Sequence, residues 1–164
     1  MKKTVISLLL LAIGTLGLQA QEVFKEVRRL ANTVANDTTK DITTRKIATF
    51  KVDALDYMQQ KYYYEMSDSS VQLYKYVLDH QALALYEYVD LFMKRLTPLK
   101  KKKEREQIVE AFKEASLGNS KFFDMDKDLV EAYILTPGYL TQFSLDTDWE
   151  KALEDVRQRL RRLP

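Results

Sequence analysis

Residues 71–92 read VQLYKYVLDHQALALYEYVDLF, and this stretch has the strongest periodic pattern in the chain. One row of side chains recurs every three or four residues and comprises Val71, Tyr74, Leu78, Gln81, Leu85, Tyr88 and Phe92. A neighbouring row comprises Leu73, Val77, Ala84 and Leu91. A helix at the surface of a domain needs only one buried row. Two adjacent rows therefore predict a helix at the centre of a bundle.

Turn-forming residues mark both ends of this helix. The stretch 67–70 (SDSS) precedes it, and Thr97–Pro98 follow it, where proline removes a helical hydrogen bond and clashes with the preceding turn. The same periodicity predicts helices over residues 22–36, 41–65, 102–117 and 126–135, and a last helix near the C terminus. Three of their apolar stripes are Val23, Val27, Leu30 and Val34; Ile47, Phe50, Ala54, Met58 and Tyr62; and Trp149, Leu153, Val156, Leu160 and Leu163.

Two helix ends and one connection have specific predictions. Gly118 and Asn119 follow the fourth helix and predict a left-handed C-terminal cap. Thr147 and Glu150 have the spacing of a capping box at the start of the last helix. Residues 139–145 are apolar, but a lone short strand is unstable, so they predict a loop packed on the bundle. The chain is thus predicted to form one all-α domain over residues 21–164, a bundle of five to six helices.

Residues 1–20 have the features of a cleavable secretory signal peptide. Lys2 and Lys3 precede an apolar run of about 14 residues from Val5 to Leu18, and Ala20 offers a small side chain to a signal peptidase. A membrane-spanning helix needs roughly 20 apolar residues, so this run is too short to be an anchor. We therefore expect an exported protein, periplasmic or extracellular, with no transmembrane segment after cleavage.

The absence of cysteine and the charge balance exclude several kinds of stabilisation and binding for the mature chain. Without cysteine, neither lipid attachment at a lipoprotein signal nor disulfide bonds are available, so a hydrophobic core must stabilise the fold. The whole chain has 26 Lys and Arg against 24 Asp and Glu. Two of the lysines belong to residues 1–20, so the mature chain is neutral. A neutral, exported domain is not expected to bind nucleic acid.

Several classes of catalytic site lack their residues in this sequence. After the signal segment only Gly118 and Gly138 remain, so glycine-rich phosphate loops and the nucleophile elbow of hydrolases are missing. His80 is the single histidine, and without cysteine it cannot build a Cys/His metal site. We expect His80 to be a partly exposed helical residue, and we expect no cofactor.

One acidic cluster resembles a metal-binding loop in part. Asp124, Asp126 and Asp128 have the spacing of the first three ligands of a calcium loop. The sixth position holds Leu129 instead of glycine, and the twelfth holds Leu135 instead of a bidentate acid. Asp126 and Asp128 are therefore interpreted as caps and favourable charges at the N terminus of the fifth helix, with weak divalent-metal binding as the alternative.

Two groups of residues are candidates for binding a partner. Tyr62, Tyr63 and Tyr64 span about 200° on a helix, so at least one ring must face solvent or a partner. Tyrosine is enriched at binding surfaces because it combines a flat apolar ring with a hydroxyl, with ordinary packing in the core and at its boundary as the simpler interpretation. The second group is a dense basic block made of Lys100, Lys101, Lys102 and Lys103. Positive charge at the start of a helix opposes the helix dipole, so this block suggests an anionic lipid or an acidic partner, with a solvated loop as the simpler interpretation.

The mature chain resembles a group of small exported all-helical proteins from Bacteroidetes whose activity is not assigned. The resemblance rests on four stretches: TRKIATFKVDALDY (44–57), DHQALALYEYVDLFMKRL (79–96), FFDMDKDLVEAY (122–133) and LTQFSLDTDW (140–149). It implies export and a helical fold, and it brings no functional residues with it.

Two functional hypotheses follow from these observations. The first is a non-enzymatic module that binds an envelope protein, glycan or lipid in the periplasm or at the cell surface, through Tyr62–Tyr64 or Lys100–Lys103. The alternative is a small hydrolase of envelope polymers that uses paired carboxylates. In this alternative a divalent metal at Asp124, Asp126 and Asp128 is optional.

Overall fold

The computed structural model describes residues 22–65, 71–122 and 141–163. They form five helices: α1 (Glu22–Asn36), α2 (Ile42–Glu65), α3 (Val71–Leu96), α4 (Lys102–Leu117) and α5 (Trp149–Leu160). These three ranges contain no strand, and the prediction of a single all-α bundle is confirmed. The predicted signal peptide and the predicted helix over residues 126–135 lie outside the described residues.

Helix α3 is the centre of the bundle, as its two apolar rows predict. It packs against each of the other four helices, with α1 and α2 forming one group around it and α4 and α5 another. Five side chains of its main row are buried: Leu78, Gln81, Leu85, Tyr88 and Phe92. The predicted stripe of α2 is buried in full. In α1 the buried face is formed by Phe24, Val27 and Ala31, while the other predicted members, Val23, Leu30 and Val34, are only half-buried.

The core is filled by aromatic rings that meet edge to face. The Tyr88 ring centre lies 5.1 Å from that of Phe112, 5.3 Å from Phe143 and 5.4 Å from Trp149. The Tyr88 hydroxyl donates a hydrogen bond to the Phe112 carbonyl, and burial raises the pKa of Tyr88 well above its ordinary value. Phe143 comes from the segment before α5, which is neither helix nor strand over residues 141–145. The predicted apolar loop is therefore confirmed for these residues.

The two cap predictions are wrong in part. Gly118 is the C-cap residue of α4, but its φ of −74° is right-handed and not left-handed. The Asn119 side-chain amide also donates to the Ala115 carbonyl at 2.8 Å. The N-cap of α5 is Asp148, and not Thr147. The Thr147 hydroxyl instead donates to the Ser144 carbonyl at 2.7 Å, within the loop.

A buried hydrogen-bond network attaches the start of α5 to α3. The Gln81 side-chain oxygen accepts from the Trp149 backbone N–H at 2.7 Å, and its amide nitrogen donates to the Asp148 carboxylate at 2.9 Å. The other carboxylate oxygen of Asp148 lies 3.0 Å from the Lys121 ammonium. Burial disfavours the ionised carboxylate, but the hydrogen bonds from Gln81 and Lys121 outweigh it and hold the pKa of Asp148 below its ordinary value.

Candidate functional site

The turn between α3 and α4 forms one wall of the candidate site. Helix α3 ends at Leu96, two residues before Pro98, which cannot continue a helix. The Arg105 guanidinium donates to the Leu96 carbonyl at 3.0 Å and to the Leu99 carbonyl at 3.1 Å. Because Arg105 belongs to α4, these bonds hold the turn against the first turns of that helix.

An open groove of about 510 Å³ lies beside this turn, between α3, α4 and the C-terminal end of the chain. This volume falls in the range of roughly 300–1,000 Å³ that small-molecule sites occupy. Its apolar lining consists of Leu91, Pro98, Leu99, Ile108, Leu160 and Leu163. Lys94 and Arg95, from the last turn of α3, also line it. These eight residues define what we call the basic groove.

Two basic segments without acidic residues meet at the basic groove. Residues 91–103 contain six lysines and arginines and no Asp or Glu, and residues 156–163 contain four arginines and no Asp or Glu. Leu160 and Leu163 bring the second segment to the groove. An adjoining depression of about 380 Å³ contains Arg95 and Arg161, together with Arg157, which pairs with the Glu87 carboxylate in the same depression. The lysine block that the sequence indicates is therefore one part of a larger cationic end of the bundle.

The cations at this end differ in their partners. Lys101 pairs with Glu104 at 3.0 Å and Lys102 with Glu106 at 3.7 Å, each within α4 or at its start. By contrast, the following cations form no ion pair with any residue that the structure describes: Lys94, Arg95, Lys100, Lys103 and Arg161. Their charge is available to an external anion.

The lysine block lies at the start of α4, as the sequence predicts, where positive charge opposes the helix dipole. Helix α4 begins at Lys102, and its N-cap residue, Lys101, makes no side-chain cap. Positive charge at this end of a helix is unfavourable by about 0.3–1 kcal/mol for each group at low salt. An anion bound nearby would relieve that repulsion.

The tyrosine triplet lies at the other end of the bundle. Tyr62 contacts Phe122, five residues after the end of α4, whereas the basic groove lies beside the start of α4. Tyr62 is buried and packs edge to face on Phe122 at 5.0 Å, whereas Tyr63 and Tyr64 are 76% and 81% exposed. The prediction that the triplet cannot be wholly buried is confirmed, and a binding role for these rings stays a prediction.

The other residues singled out by the sequence form no metal or catalytic cluster in the part of the chain that the structure describes. His80 is half-buried, with its ring centre 4.0 Å from that of Tyr76. No group of three or more His, Asp and Glu side chains suited to a metal occurs among the described residues. Asp124, Asp126 and Asp128 lie outside them.

Lys51 is an unusual cation that the sequence patterns did not single out. Its ammonium lies 3.8 Å from the centre of the Tyr86 ring. Burial lowers the pKa of Lys51 to about 8, although the nearby Asp90 carboxylate acts in the opposite direction. A signal was present, because Lys51 follows Ile47 by four residues and precedes Ala54 by three, on the apolar side of α2.

Comparisons with known proteins provide no functional assignment. Among the described residues, no helix combines the length and hydropathy needed to span a bilayer. The chain matches no protein-family model, and no curated protein or solved structure matches it.

Proposed function

We propose that this protein is an exported, non-enzymatic helical module that binds anionic lipid in the periplasm or at the cell surface through its basic groove. One observation carries the proposal: two acid-free basic segments, 91–103 and 156–163, meet around an apolar groove. An anionic lipid has the matching arrangement, a charged head group joined to hydrocarbon. The features of residues 1–20 support export, and the resemblance to exported Bacteroidetes proteins remains a hypothesis consistent with it.

The lining of the groove favours lipid over the other two partner classes. Glycan sites rely on aromatic platforms, and the groove has no aromatic lining. An acidic protein segment would satisfy the cations but would leave an apolar lining of six residues without a matched partner. Among the lining residues there is also no carboxylate, hydroxyl or imidazole, the groups that acid–base and nucleophilic catalysis most often use. A non-enzymatic role fits this composition.

Vesicle sedimentation tests the proposal. The mature protein should sediment with vesicles of phosphatidylglycerol and phosphatidylcholine, should not sediment with phosphatidylcholine alone, and should be released by salt. Each cation near an anionic surface contributes about 1 kcal/mol, so Lys94→Gln with Arg95→Gln should weaken binding by about 30-fold.

A matched control removes the same charge at the other end of the bundle. Both control lysines lie near the first half of α3, away from the groove. Lys75 lies about 29 Å from Lys94 along α3. Lys25 lies beside Phe24, whose backbone N–H donates to Asp79 of α3. Lys25→Gln with Lys75→Gln should therefore leave binding within about twofold of the unmodified protein. Equal losses in both double variants, or equal binding to neutral vesicles, would contradict the proposal.

A further inference from the structure

We infer that the basic groove takes the acyl chain of a free fatty acid, with the carboxylate held by Arg95 and Lys94. This inference rests on the proposed function and specifies its ligand. It concerns a monomeric lipid withdrawn into the groove, and not a lipid that remains in a bilayer.

The shape of the groove favours an inserted chain. Its apolar side chains line a concave surface, and Leu91, Leu99, Ile108, Leu160 and Leu163 are all half-buried. A protein that inserts into a bilayer instead presents an apolar face that enters the lipid by about 5–10 Å. In the part of the chain that the structure describes, the exposed large apolar side chains are Ile42, Tyr63, Tyr64 and Tyr76, and none of them lines the groove.

The size of the groove suits one chain. Its volume of about 510 Å³ lies in the lower half of the range for small-molecule sites. Leu91, Arg95 and Leu160 also line the adjoining depression of about 380 Å³, so the two hollows share residues of α3 and α5. The second hollow also contains Glu87, which pairs with Arg157, so we place the ligand in the first hollow, which has no carboxylate. A hollow of this volume fits a single acyl chain better than the two chains of a phospholipid.

The cations define where the head group lies. Arg95 lines both hollows, and neither it nor Lys94 forms an ion pair with the described residues. A guanidinium presents two parallel N–H groups that match the two oxygens of a carboxylate. Lys100, in the adjacent turn, and Lys103, in the first turn of α4, add positive charge near this end of the groove. We therefore place the carboxylate at Arg95 and the chain along the leucine lining.

Calorimetric titration with fatty acids below their micellar concentrations tests the inference on the unmodified mature protein. Decanoate, laurate and myristate should bind with one-to-one stoichiometry, and each two added carbons should tighten binding by about tenfold until the groove is filled. Dodecanol, which lacks the charge, should bind at least tenfold more weakly than laurate. Binding that does not depend on chain length would overturn the inference, as would binding of lysophosphatidylglycerol without binding of laurate.

Variants of the lining test whether laurate occupies the groove. Ile108→Gln, and independently Leu160→Gln, should weaken laurate binding by at least tenfold, because both side chains line the groove. Ile42→Gln, which changes an exposed apolar residue outside the groove, should leave laurate binding unchanged. Charge-dependent vesicle binding without laurate binding would overturn the inference and leave the proposed function intact. If the unmodified protein binds neither laurate nor anionic vesicles, both the inference and the proposed function are wrong.

Discussion

Replacing Gln81 by methionine should destabilise the protein by removing polar contacts while nearly keeping the side-chain shape. Gln81 is fully buried in the main apolar row of α3. Its oxygen accepts from the Trp149 N–H at 2.7 Å, and its nitrogen donates to the Asp148 carboxylate at 2.9 Å. Methionine can replace neither bond.

The size of the effect follows from these two contacts. A buried N–H left without an acceptor costs about 1–3 kcal/mol, and a hydrogen bond to a charged group contributes about 1.5–3 kcal/mol. Burying the apolar methionine side chain is more favourable than burying glutamine and offsets about 1 kcal/mol of this loss. Asp148 also keeps its contact with Lys121 at 3.0 Å, which limits the loss. We expect the free energy of unfolding to fall by about 2–4 kcal/mol, which lowers Tm by roughly 6–14 °C.

Guanidinium unfolding measures this change directly. Trp149 is the only tryptophan in the chain, so its fluorescence reports on the disrupted site while circular dichroism reports on the whole bundle. Gln60→Met makes the same chemical change at an exposed position of α2 and should alter stability by less than about 0.5 kcal/mol. If Gln81→Met is no more destabilising than Gln60→Met, the network does not stabilise the attachment of α5.

Four further predictions concern the core, the turn and the two ends of the bundle. Because the pKa of Lys51 falls to about 8 from 10.5, the unfolded chain binds more protons above pH 8. The free energy of unfolding should therefore rise between about pH 8 and pH 9.5, and Lys51→Met should abolish the rise in denaturant titrations. Phe143→Ala should cost about 3–5 kcal/mol in the same assay, since it empties the centre of the aromatic core. Arg105→Met should lower the free energy of unfolding by about 1–2 kcal/mol, because it removes two hydrogen bonds to carbonyls of the α3–α4 turn. Tyr63→Ser with Tyr64→Ser should leave vesicle sedimentation unchanged. A loss of sedimentation would show that lipid binds at the tyrosine end of the bundle and not at the basic groove.

Local patterns in the sequence were sufficient for the helices. Side chains three and four residues apart share a helix face whatever the rest of the fold does, so the row from Leu78 to Phe92 indicated a buried helix. The two wrong caps show the limit of this reasoning. Thr147 has a side chain suited to a cap, but Asp148 caps α5, and Gly118 permits a left-handed conformation that it does not adopt. Only the three-dimensional contacts decide between these alternatives.

The candidate site could be predicted only in part. The sequence by itself determined that a basic block follows α3 and that one ring of the tyrosine triplet must be exposed. Only the tertiary structure decided that residues 156–163 join residues 91–103 around an apolar groove, and that Gln81 holds the start of α5. The physical reason is that periodicity reports interactions within one helix. A groove between helices depends instead on how segments more than fifty residues apart pack against each other.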